Sequence, residues 1–352
     1  MGKLEKIAEK LAGKYDRTGA GHRKSSHNRS RGFSSPRGNQ HHPTSRLKDS
    51  LLREYEGSSL IAETEFESES TEYGETLHLR ERVDKAFITV NSSVSDLLCD
   101  LKLVYGVGSV REKELKRQGY RTIEDLRNHQ KWGDEAKSVH DTFHDELPRA
   151  YDLLRRWKSL SDPSFLRFSG LFDREEFAIV DIETLGLSNQ PVFLLGLAHP
   201  DDSDLVVHQF LARDLGQELA TLMNFTDHLN ERELILTYNG KNFDIPYIER
   251  RLAYYGQRKK FSHPHLDLYL FTRNVLGDRT RNCKLGTIER KVLGVKRDLD
   301  VPSALVPDFY STYMEKTNPG PLLPILAHNR QDLLSLVDLY RKLVEEAFNG
   351  NR

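Results

Sequence analysis

The chain has 352 residues, of which 37% are hydrophobic and 30% are charged, and its formal net charge is −1. This composition predicts a globular protein with a polar, disordered part, and the sequence has no run of about 18 apolar residues that would form a transmembrane helix. The two cysteines, Cys99 and Cys283, lie far apart, which argues against a disulfide framework or a cysteine zinc site and favours a reducing cytoplasm.

Residues 1–57 are predicted to form a basic, largely disordered tail. Residues 1–50 hold about three basic residues for each acidic one, and residues 17–50 contain almost no large apolar side chain. Such a segment cannot bury enough surface to offset the entropy of ordering it. A nucleic-acid-binding tail and a merely solvated tail both stay open, and the histidine pair His41 and His42 fits the polar tail better than a metal site.

Residues 58–162 are predicted to contain a small β-hairpin followed by a helical module. Weak alternation across residues 58–91 predicts the hairpin, with its turn at Tyr73 and Gly74. A helix is expected over residues 145–160, before the Asp-Pro pair that we take as the boundary of the next domain.

The helical module resembles a helix-hairpin-helix motif in the stretch "LKLVYGVGSVREKELKR". In such modules Gly106 and Gly108 let backbone N–H groups approach a phosphate, and Lys113 supplies counter-charge. Glu112 departs from the pattern, since the family has a small residue there. A packing module with a tight turn is the alternative interpretation.

Residues 163–348 are predicted to form an α/β domain. The strand candidates are 177–183, 192–198, 205–211, 234–238 and a short one near 266–270. The links between the first three are too short for crossovers, so these strands should form an antiparallel meander that later strands join in parallel. A last helix is expected from near Pro324 to about Phe348. The predicted fold is a mixed sheet flanked by helices, preceded by the helical module and the tail.

Three elements carry acidic or histidine residues that could form one site. The strand "FAIVDIETLGL" places Asp181 and Glu183 on one face, because residues i and i+2 of a strand point the same way; a solvated strand face is the alternative. Asp244 follows "LILTYNG" at the start of a helix, where it could simply be an N-cap. His328 and Asp332 are one helical turn apart and could be a satisfied capping pair. Together these oxygen ligands suit Mg²⁺ or Mn²⁺.

In this order the motifs resemble those of the DEDD 3′–5′ exonuclease group of the RNase H-like superfamily, and within it the YprB-like branch. The matching stretches, between residues 165 and 345, are "DIETLGL", "YNGKNFDIPYI", "HLDLYLFTR", "CKLGTIERKVLGVKRDLDVPS" and "HNRQDLLSL".

The resemblance implies a role for each member of the set. Asp181, Glu183 and Asp332 would hold one metal ion, with Asp181 bridging to a second ion. Asp244 would act on the second ion through water, and His328 would be the general base. In this group the base is a histidine five residues before the last aspartate or a tyrosine four before it. Here a histidine stands at the tyrosine spacing.

Residues near these motifs are further candidates. Those predicted to contact the nucleic acid are Thr184, Leu187, Asn239 and Asn242. Lys284 and Arg297 could contact the strand backbone or be ordinary surface charges. His265 and Asp267 belong to the family pattern, and we expect them to make structural hydrogen bonds.

The sequence therefore predicts a metal-dependent hydrolase, a 3′–5′ exonuclease that acts on single-stranded ends of DNA or RNA with two Mg²⁺ or Mn²⁺ ions. The basic tail and the helical module would hold the polymer, and nucleoside 5′-monophosphates would be released. One alternative is a catalytically inactive RNase H-like nucleic-acid-binding protein, and another is a scaffold that never touches nucleic acid. The choice between DNA and RNA stays open.

Overall fold

The computed structural model describes residues 43–297 and 301–349, so the predictions for residues 1–42, including His41 and His42, lie outside it. The strands are β1 (Glu67–Thr71), β2 (Gly74–Val83), β3 (Phe177–Thr184), β4 (Val192–Asp201), β5 (Asp204–Leu211), β6 (Leu234–Thr237) and β7 (His265–Asp267). The α-helices are α1 (Pro43–Glu54), α2 (Leu60–Glu63), α3 (Val94–Leu98), α4 (Ser109–Arg117), α5 (Ile123–Leu126), α6 (Gly133–Asp145), α7 (Leu147–Trp157), α8 (Pro163–Ser169), α9 (Glu218–Asn230), α10 (Asp244–Tyr254), α11 (Leu268–Leu276), α12 (Leu285–Ile288), α13 (Val306–Lys316) and α14 (Leu323–Asn349).

The strands form one mixed sheet in the order β1-β2-β5-β4-β3-β6-β7. Strands β3, β4 and β5 form the predicted antiparallel meander, and β6 and β7 join it in parallel. The parallel strands become possible because α9 and α10 supply the long crossovers that such pairs need. The predicted fold class is confirmed.

The two faces of the sheet carry different residues because side chains alternate along each strand. On β3, Val180 and Ile182 pack into an apolar cluster with residues of α9 and α10. Asp181 points to the other face, where it meets α14. The sequence pattern thus divides β3 into one apolar face and one acidic face.

The β-hairpin is part of the sheet. Its strands flank a turn at Glu72 and Tyr73, close to the predicted position, and β2 pairs along its length with β5. The hairpin therefore extends the central sheet by two strands, so it belongs with the α/β domain more than with the helical module.

Helix α1 corrects the prediction of a largely disordered tail reaching residue 57. Leu51 and Tyr55 are buried in the same apolar cluster as Phe309 and Tyr310 of α13, and Leu47 packs at the edge of this cluster. Residues 47, 51 and 55 recur every fourth position, so they form one apolar stripe. The polar residues between them hid this stripe in the composition.

The helical module shares its apolar core with the sheet. Leu101 and Leu115 of the module belong to the same cluster of buried residues as Phe177 of β3 and Leu339 of α14. The predicted boundary lies where the Asp162 carboxylate caps α8. The helix expected at 145–160 is α7, and the last expected helix is α14. Among the described residues, no helix combines the length and the apolar character needed to cross a membrane.

Candidate active site

Strand β3 and helix α14 bring three of the predicted carboxylates to one place. The Asn329 side-chain amide donates to Asp181 Oδ2 at 2.9 Å and to the Asp181 backbone carbonyl at 3.1 Å. His328 Nε2 lies 3.9 Å from Glu183 Oε1 and 3.6 Å from Asp332 Oδ2. Asp181, Glu183 and Asp332 therefore face a common region, although 148 positions separate Asp181 from Asn329.

The fourth carboxylate, Asp244, is joined directly to the same strand. The backbone N–H of Ile182 donates to Asp244 Oδ1 at 3.2 Å, and the side chain is buried. Asp244 is the first residue of α10, whose N-cap is Phe243, so the N-cap interpretation does not apply. His328 and Asp332 lie inside α14, so they are not a capping pair either.

Burial and mutual repulsion raise the pKa of each carboxyl in this set. Burial raises the pKa of Asp181 well above its usual value, and the charges of Asp332, Glu183 and Asp244 add to the effect. Burial also raises the pKa of Asp332, although His328 and Arg297 oppose this. Four acids held this close are stable as anions only where positive charge compensates them.

The other two acids titrate near neutrality. Burial raises the pKa of Glu183 to about 7, with His328 and Arg297 opposing and Asp332 adding. Burial raises the pKa of Asp244 to about 7 against the backbone hydrogen bonds that it accepts. A buried donor set made only of carboxylate oxygens fits hard divalent cations such as Mg²⁺ and Mn²⁺. The residues present therefore suit the metal that the sequence predicted.

Arg297 is the main positive group of the site. Its guanidinium donates to Asp332, and to Glu289 at 2.7 and 2.5 Å, in a largely buried position. It also donates from Nη1 to His328 Nδ1 at 2.8 Å. The sequence left Arg297 as either a backbone contact or a surface charge. The structure places it among the acids, a position that spacing alone does not reveal.

The contact with Arg297 decides how His328 carries its proton. A guanidinium only donates hydrogen bonds, so Nδ1 accepts and a neutral ring holds its proton on Nε2. Nε2 is the nitrogen that faces Glu183 and Asp332. A general base needs a lone pair on the nitrogen that faces the water, so this arrangement must change before His328 can take a proton there.

Asn329 is a site residue that sequence reasoning missed. Gln209 donates to Asn329 Oδ1 at 2.8 Å, which turns the amide nitrogen of Asn329 towards Asp181. Gly196 leaves the space for it, because a Cβ at that position would lie 2.5 Å from Asn329 Oδ1. The sequence offers one indication of this role, which is that Asn329 is a polar residue on the buried side of the last helix.

The predicted nucleotide contacts lie around the acids. Thr184, at the end of β3, donates from its hydroxyl to the Gly186 carbonyl at 2.9 Å, and Leu187 in the following loop is 85% exposed. Asn239 and Asn242 are exposed in the turn between β6 and α10. Asn239 has φ +64°, and this turn brings Asp244 to the site. Their positions beside the acids are compatible with the predicted contacts to a nucleotide.

His265 and Asp267 make the structural hydrogen bonds that the sequence predicted. His265 Nε2 lies 2.8 Å from the Thr237 hydroxyl, and burial lowers the pKa of His265 to about 3. Asp267 accepts from the backbone N–H groups of Asn239, Lys241 and Tyr269. The turn that carries Asp244 is therefore anchored to β7.

The glycine turn of the helical module has the predicted local geometry. Gly106 has φ +82°, which favours glycine, and Gly108 is the N-cap of α4. Lys113 is exposed on α4. Arg111 donates to the Gly106 carbonyl at 2.5 Å, so this side chain folds back on the turn.

Glu112, the departure from the helix-hairpin-helix pattern, is paired with basic residues. Lys116 Nζ lies 2.9 Å from its carboxylate, and Lys102 Nζ lies 3.7 Å away. The acid therefore adds no unpaired negative charge beside the turn. Lys284, the other basic candidate, is an exposed residue at the N-cap of α12.

Comparison with known proteins places the site within a matched segment. A family model for the RNase_H superfamily matches residues 178–344. The protein YprB of Bacillus subtilis (strain 168) is 31% identical over 185 residues, 50% of this chain and 45% of that protein. DNA polymerase 1 of Sulfurisphaera ohwakuensis is 27% identical over 115 residues, 29% of this chain and 13% of that protein.

A solved structure of the family B DNA polymerase from the hyperthermophilic archaeon Pyrobaculum calidifontis aligns with 50% of this chain and 26% of that chain. The identity is 18% and the TM-score is 0.39. The chain thus spans less than half the length of each of these three proteins.

Proposed function

Because residues 178–344 form a domain of the RNase H superfamily, we propose that this protein is a metal-dependent nuclease of the 3′–5′ exonuclease type. The observation that carries the proposal is the convergence of four largely buried carboxylates, Asp181, Glu183, Asp244 and Asp332, beside strand β3. Each pays a desolvation cost that a merely structural site would avoid with neutral residues.

The acids are proposed to hold two Mg²⁺ or Mn²⁺ ions. Asp181, Glu183 and Asp332 would hold one ion, while Asp181 and Asp244 would serve the second. When bound, these ions supply Lewis acidity and neutralise charge on a phosphodiester. Asn329 fixes the orientation of the Asp181 carboxylate, so it is a positioning residue for this reaction.

His328 is proposed to accept the proton of the attacking water at Nε2. For this the ring proton must sit on Nδ1, and Arg297 must give up its contact with that nitrogen. Arg297 would then be available to pair with a phosphate oxygen of the substrate. The two residues therefore rearrange together when the substrate arrives.

Nucleic acid is the proposed substrate, as single-stranded ends of DNA or RNA. A relative named DNA polymerase 1 supports this substrate class. Thr184, Leu187, Asn239 and Asn242 would line the terminal nucleotide. Gly106, Gly108 and Lys113 would hold the strand further away. The two distant cysteines keep the cytoplasm as the proposed compartment.

A second candidate function is nucleic-acid binding without cleavage. The contact between Arg297 and His328 Nδ1 favours it, because in this geometry Nε2 holds a proton and has no lone pair for water. Both candidates would bind a single strand, so cleavage of the bound strand is the property that separates them.

The test is incubation of the full chain with 5′-end-labelled single-stranded DNA and RNA in Mn²⁺, resolved on a sequencing gel. We expect stepwise shortening from the 3′ end, and a loss of about 100-fold or more in Asp181→Asn because a shared metal ligand is removed. Glu175→Gln, an exposed acid on the same domain, is the matched control and should keep full activity.

Shortening that persists in Asp181→Asn would show that the activity does not arise at this site. Tight binding of the same oligonucleotides without any shortening in saturating Mn²⁺ would support the second candidate and overturn the first.

A further inference from the structure

A second group of side chains with metal-binding chemistry lies on the opposite face of the sheet from the acids. His78 of β2, His208 of β5 and His228 of α9 each offer one ring nitrogen, and these nitrogens all lie within 4.8 Å of one another. We call these three residues the histidine cluster. His208 pairs in register with Leu197, whose side chain belongs to the apolar layer beneath α9.

Two of the three rings have one nitrogen fixed to an acceptor. His78 Nδ1 lies 2.7 Å from Glu69 Oε1, and His228 Nδ1 lies 3.0 Å from the Asn224 carbonyl. A carbonyl and a carboxylate only accept, so the proton of each neutral ring sits on Nδ1. The lone pair of each ring is then on Nε2.

Glu69 is held as a carboxylate. The Asn224 amide donates to its second oxygen at 2.6 Å. Both oxygens of Glu69 therefore meet nitrogen atoms, and His78 Nδ1 is the donor to Oε1.

The third ring is fixed through a fourth histidine, His199. His199 Nδ1 lies 3.1 Å from the Pro200 carbonyl, so this nitrogen carries the proton and Nε2 carries the lone pair. His208 Nε2 lies 3.2 Å from His199 Nε2 and must donate to it. The lone pair of His208 is then on Nδ1.

These assignments leave two lone pairs facing each other. His78 Nε2 and His208 Nδ1 lie 2.8 Å apart. Either a cation lies between them, or the network takes up an extra proton or gives up one of the bonds described above.

We propose that the histidine cluster binds a zinc ion through His78 Nε2, His208 Nδ1 and His228 Nε2. Three imidazoles with an open fourth position are a known ligand set for Zn²⁺. Mg²⁺ and Ca²⁺ prefer oxygen ligands to imidazole nitrogens. Zn–N bonds of about 2.0–2.1 Å in tetrahedral geometry require roughly 3.3 Å between nitrogens. The rings of His78 and His208 would therefore separate by roughly half an ångström.

The surroundings favour a cation at this position. The cluster opens on a cavity of about 560 Å³ that has room for a water ligand, and its wall carries more acidic residues than basic ones: Glu65, Glu67, Glu69 and Glu231 against Arg80 and Arg232. The bond from His78 to Glu69 is the carboxylate–histidine arrangement that orients metal-binding imidazoles. A zinc ion bound by the histidine cluster would link the β1–β2 hairpin to β5 and α9.

The experiment measures zinc and Co²⁺ binding to the full chain after chelation and desalting. Excess Mg²⁺ is kept in the buffer so that the acids on the other face do not contribute. Wild type is compared with His208→Gln and His228→Gln, and with His144→Gln, an exposed histidine of α6, as the control. Circular dichroism confirms that each variant is folded, and His228 is only half-buried, so its replacement disturbs packing least.

When zinc is added back, we expect wild type and His144→Gln each to bind one equivalent. With Co²⁺ in its place, both should give the intense visible absorption of a tetrahedral site. His208→Gln and His228→Gln should lose both signals. Glu69→Gln should weaken zinc binding about 10- to 100-fold, because it removes the group that orients His78. Zinc should also raise the Tm of wild type and leave that of His228→Gln unchanged.

Wild-type protein that retains no zinc and gives no tetrahedral Co²⁺ spectrum would overturn the proposal. So would zinc retained equally by wild type and by folded His228→Gln. Neither result depends on nuclease activity, so this test and the test of the proposed function can fail separately.

Discussion

At the residue scale, Glu183 shows what the proposed metal site costs the folded protein in stability. Its usual pKa is 4.5, and burial raises the pKa in the folded protein to about 7. Below about pH 4.5 the folded and unfolded chains both hold the proton, so no cost arises. As the pH rises from 4.5 to 7, the free energy of unfolding falls, because the unfolded chain loses this proton before the folded one does. Above about pH 7 the carboxyl is ionised in both states and the loss is complete.

Replacing Glu183 with glutamine should therefore stabilise the protein when divalent ions are chelated. We expect the free energy of unfolding in EDTA to rise by an amount on the order of 1–3 kcal/mol at about pH 8, and this gain to shrink towards pH 5. Urea denaturation across this pH range measures it, with the exposed Glu175→Gln as the control.

Added Mg²⁺ should reverse the order of the two proteins, because the ion stabilises wild type and binds the variant more weakly. A variant that is less stable than wild type in EDTA at about pH 8 would mean that the charge of Glu183 is already compensated inside the protein.

The acids could be predicted residue by residue, while the groups that position them could not. Asp181 and Glu183 follow from the two-residue period of a strand. Asn329 matters only because Asp181, 148 positions away, folds against it. Arg297 matters because Asp332 and Glu289 meet it from two different helical segments. Such partners have no local signature.

At the element scale, the approach of α14 to the sheet depends on Gly196 of β4. A methyl group there would lie 2.5 Å from Asn329 Oδ1 and 2.8 Å from Nδ2, so the amide must move away from Asp181. The strand bounds themselves were predictable from apolar runs, and those of β3, β4 and β5 differ from prediction only at their ends. The contact between α14 and the sheet could not be predicted in this way, because it joins residues that are far apart in the sequence.

Gly196→Ala should lower nuclease activity about 10- to 100-fold by displacing Asn329, and should cost roughly 1–3 kcal/mol of stability through overpacking. Gly277→Ala is the matched control, because a Cβ there meets nothing within 4 Å and the backbone is helical. Initial rates on a single-stranded oligonucleotide and urea melts measure both effects. Unchanged rates in a folded Gly196→Ala protein would remove Asn329 from the positioning role.

Helix α1 is the element for which composition misled the prediction. Leu51 is fully buried in the apolar cluster that also contains residues of α13, so Leu51→Ala should cost about 2–5 kcal/mol. Leu187→Ala, at a position that is 85% exposed, should change stability by less than about 0.5 kcal/mol. Equal stabilities for the two variants would show that α1 does not pack on the domain in solution.

At the scale of the whole molecule, one sheet presents two kinds of cation chemistry on its two faces. Carboxylate oxygens gather against α14, and imidazole nitrogens gather beneath α9. Hard ions prefer the first set and zinc prefers the second. The histidine cluster draws on β2, β5 and α9, so it appears only once the hairpin has joined the sheet.

The helical module gives the whole molecule a second proposed contact with nucleic acid. If Lys113 pairs with a phosphate, Lys113→Ala should lower the slope of log K against log salt by about 0.7 for a single strand. Lys316→Ala, an exposed lysine on α13, is the control. Fluorescence anisotropy in Ca²⁺ measures binding across a salt series. A slope equal to that of wild type would remove Lys113 from the interface.

The central claim is that carboxylates from distant parts of the chain meet to hold divalent ions, and anomalous diffraction tests it most directly. Crystals soaked in Mn²⁺ with a nucleoside 5′-monophosphate should show manganese peaks bound by Asp181, Glu183 and Asp332. Crystals of Asp181→Asn should lack them. Ordered wild-type crystals with no manganese between these residues at saturating concentration would contradict the account.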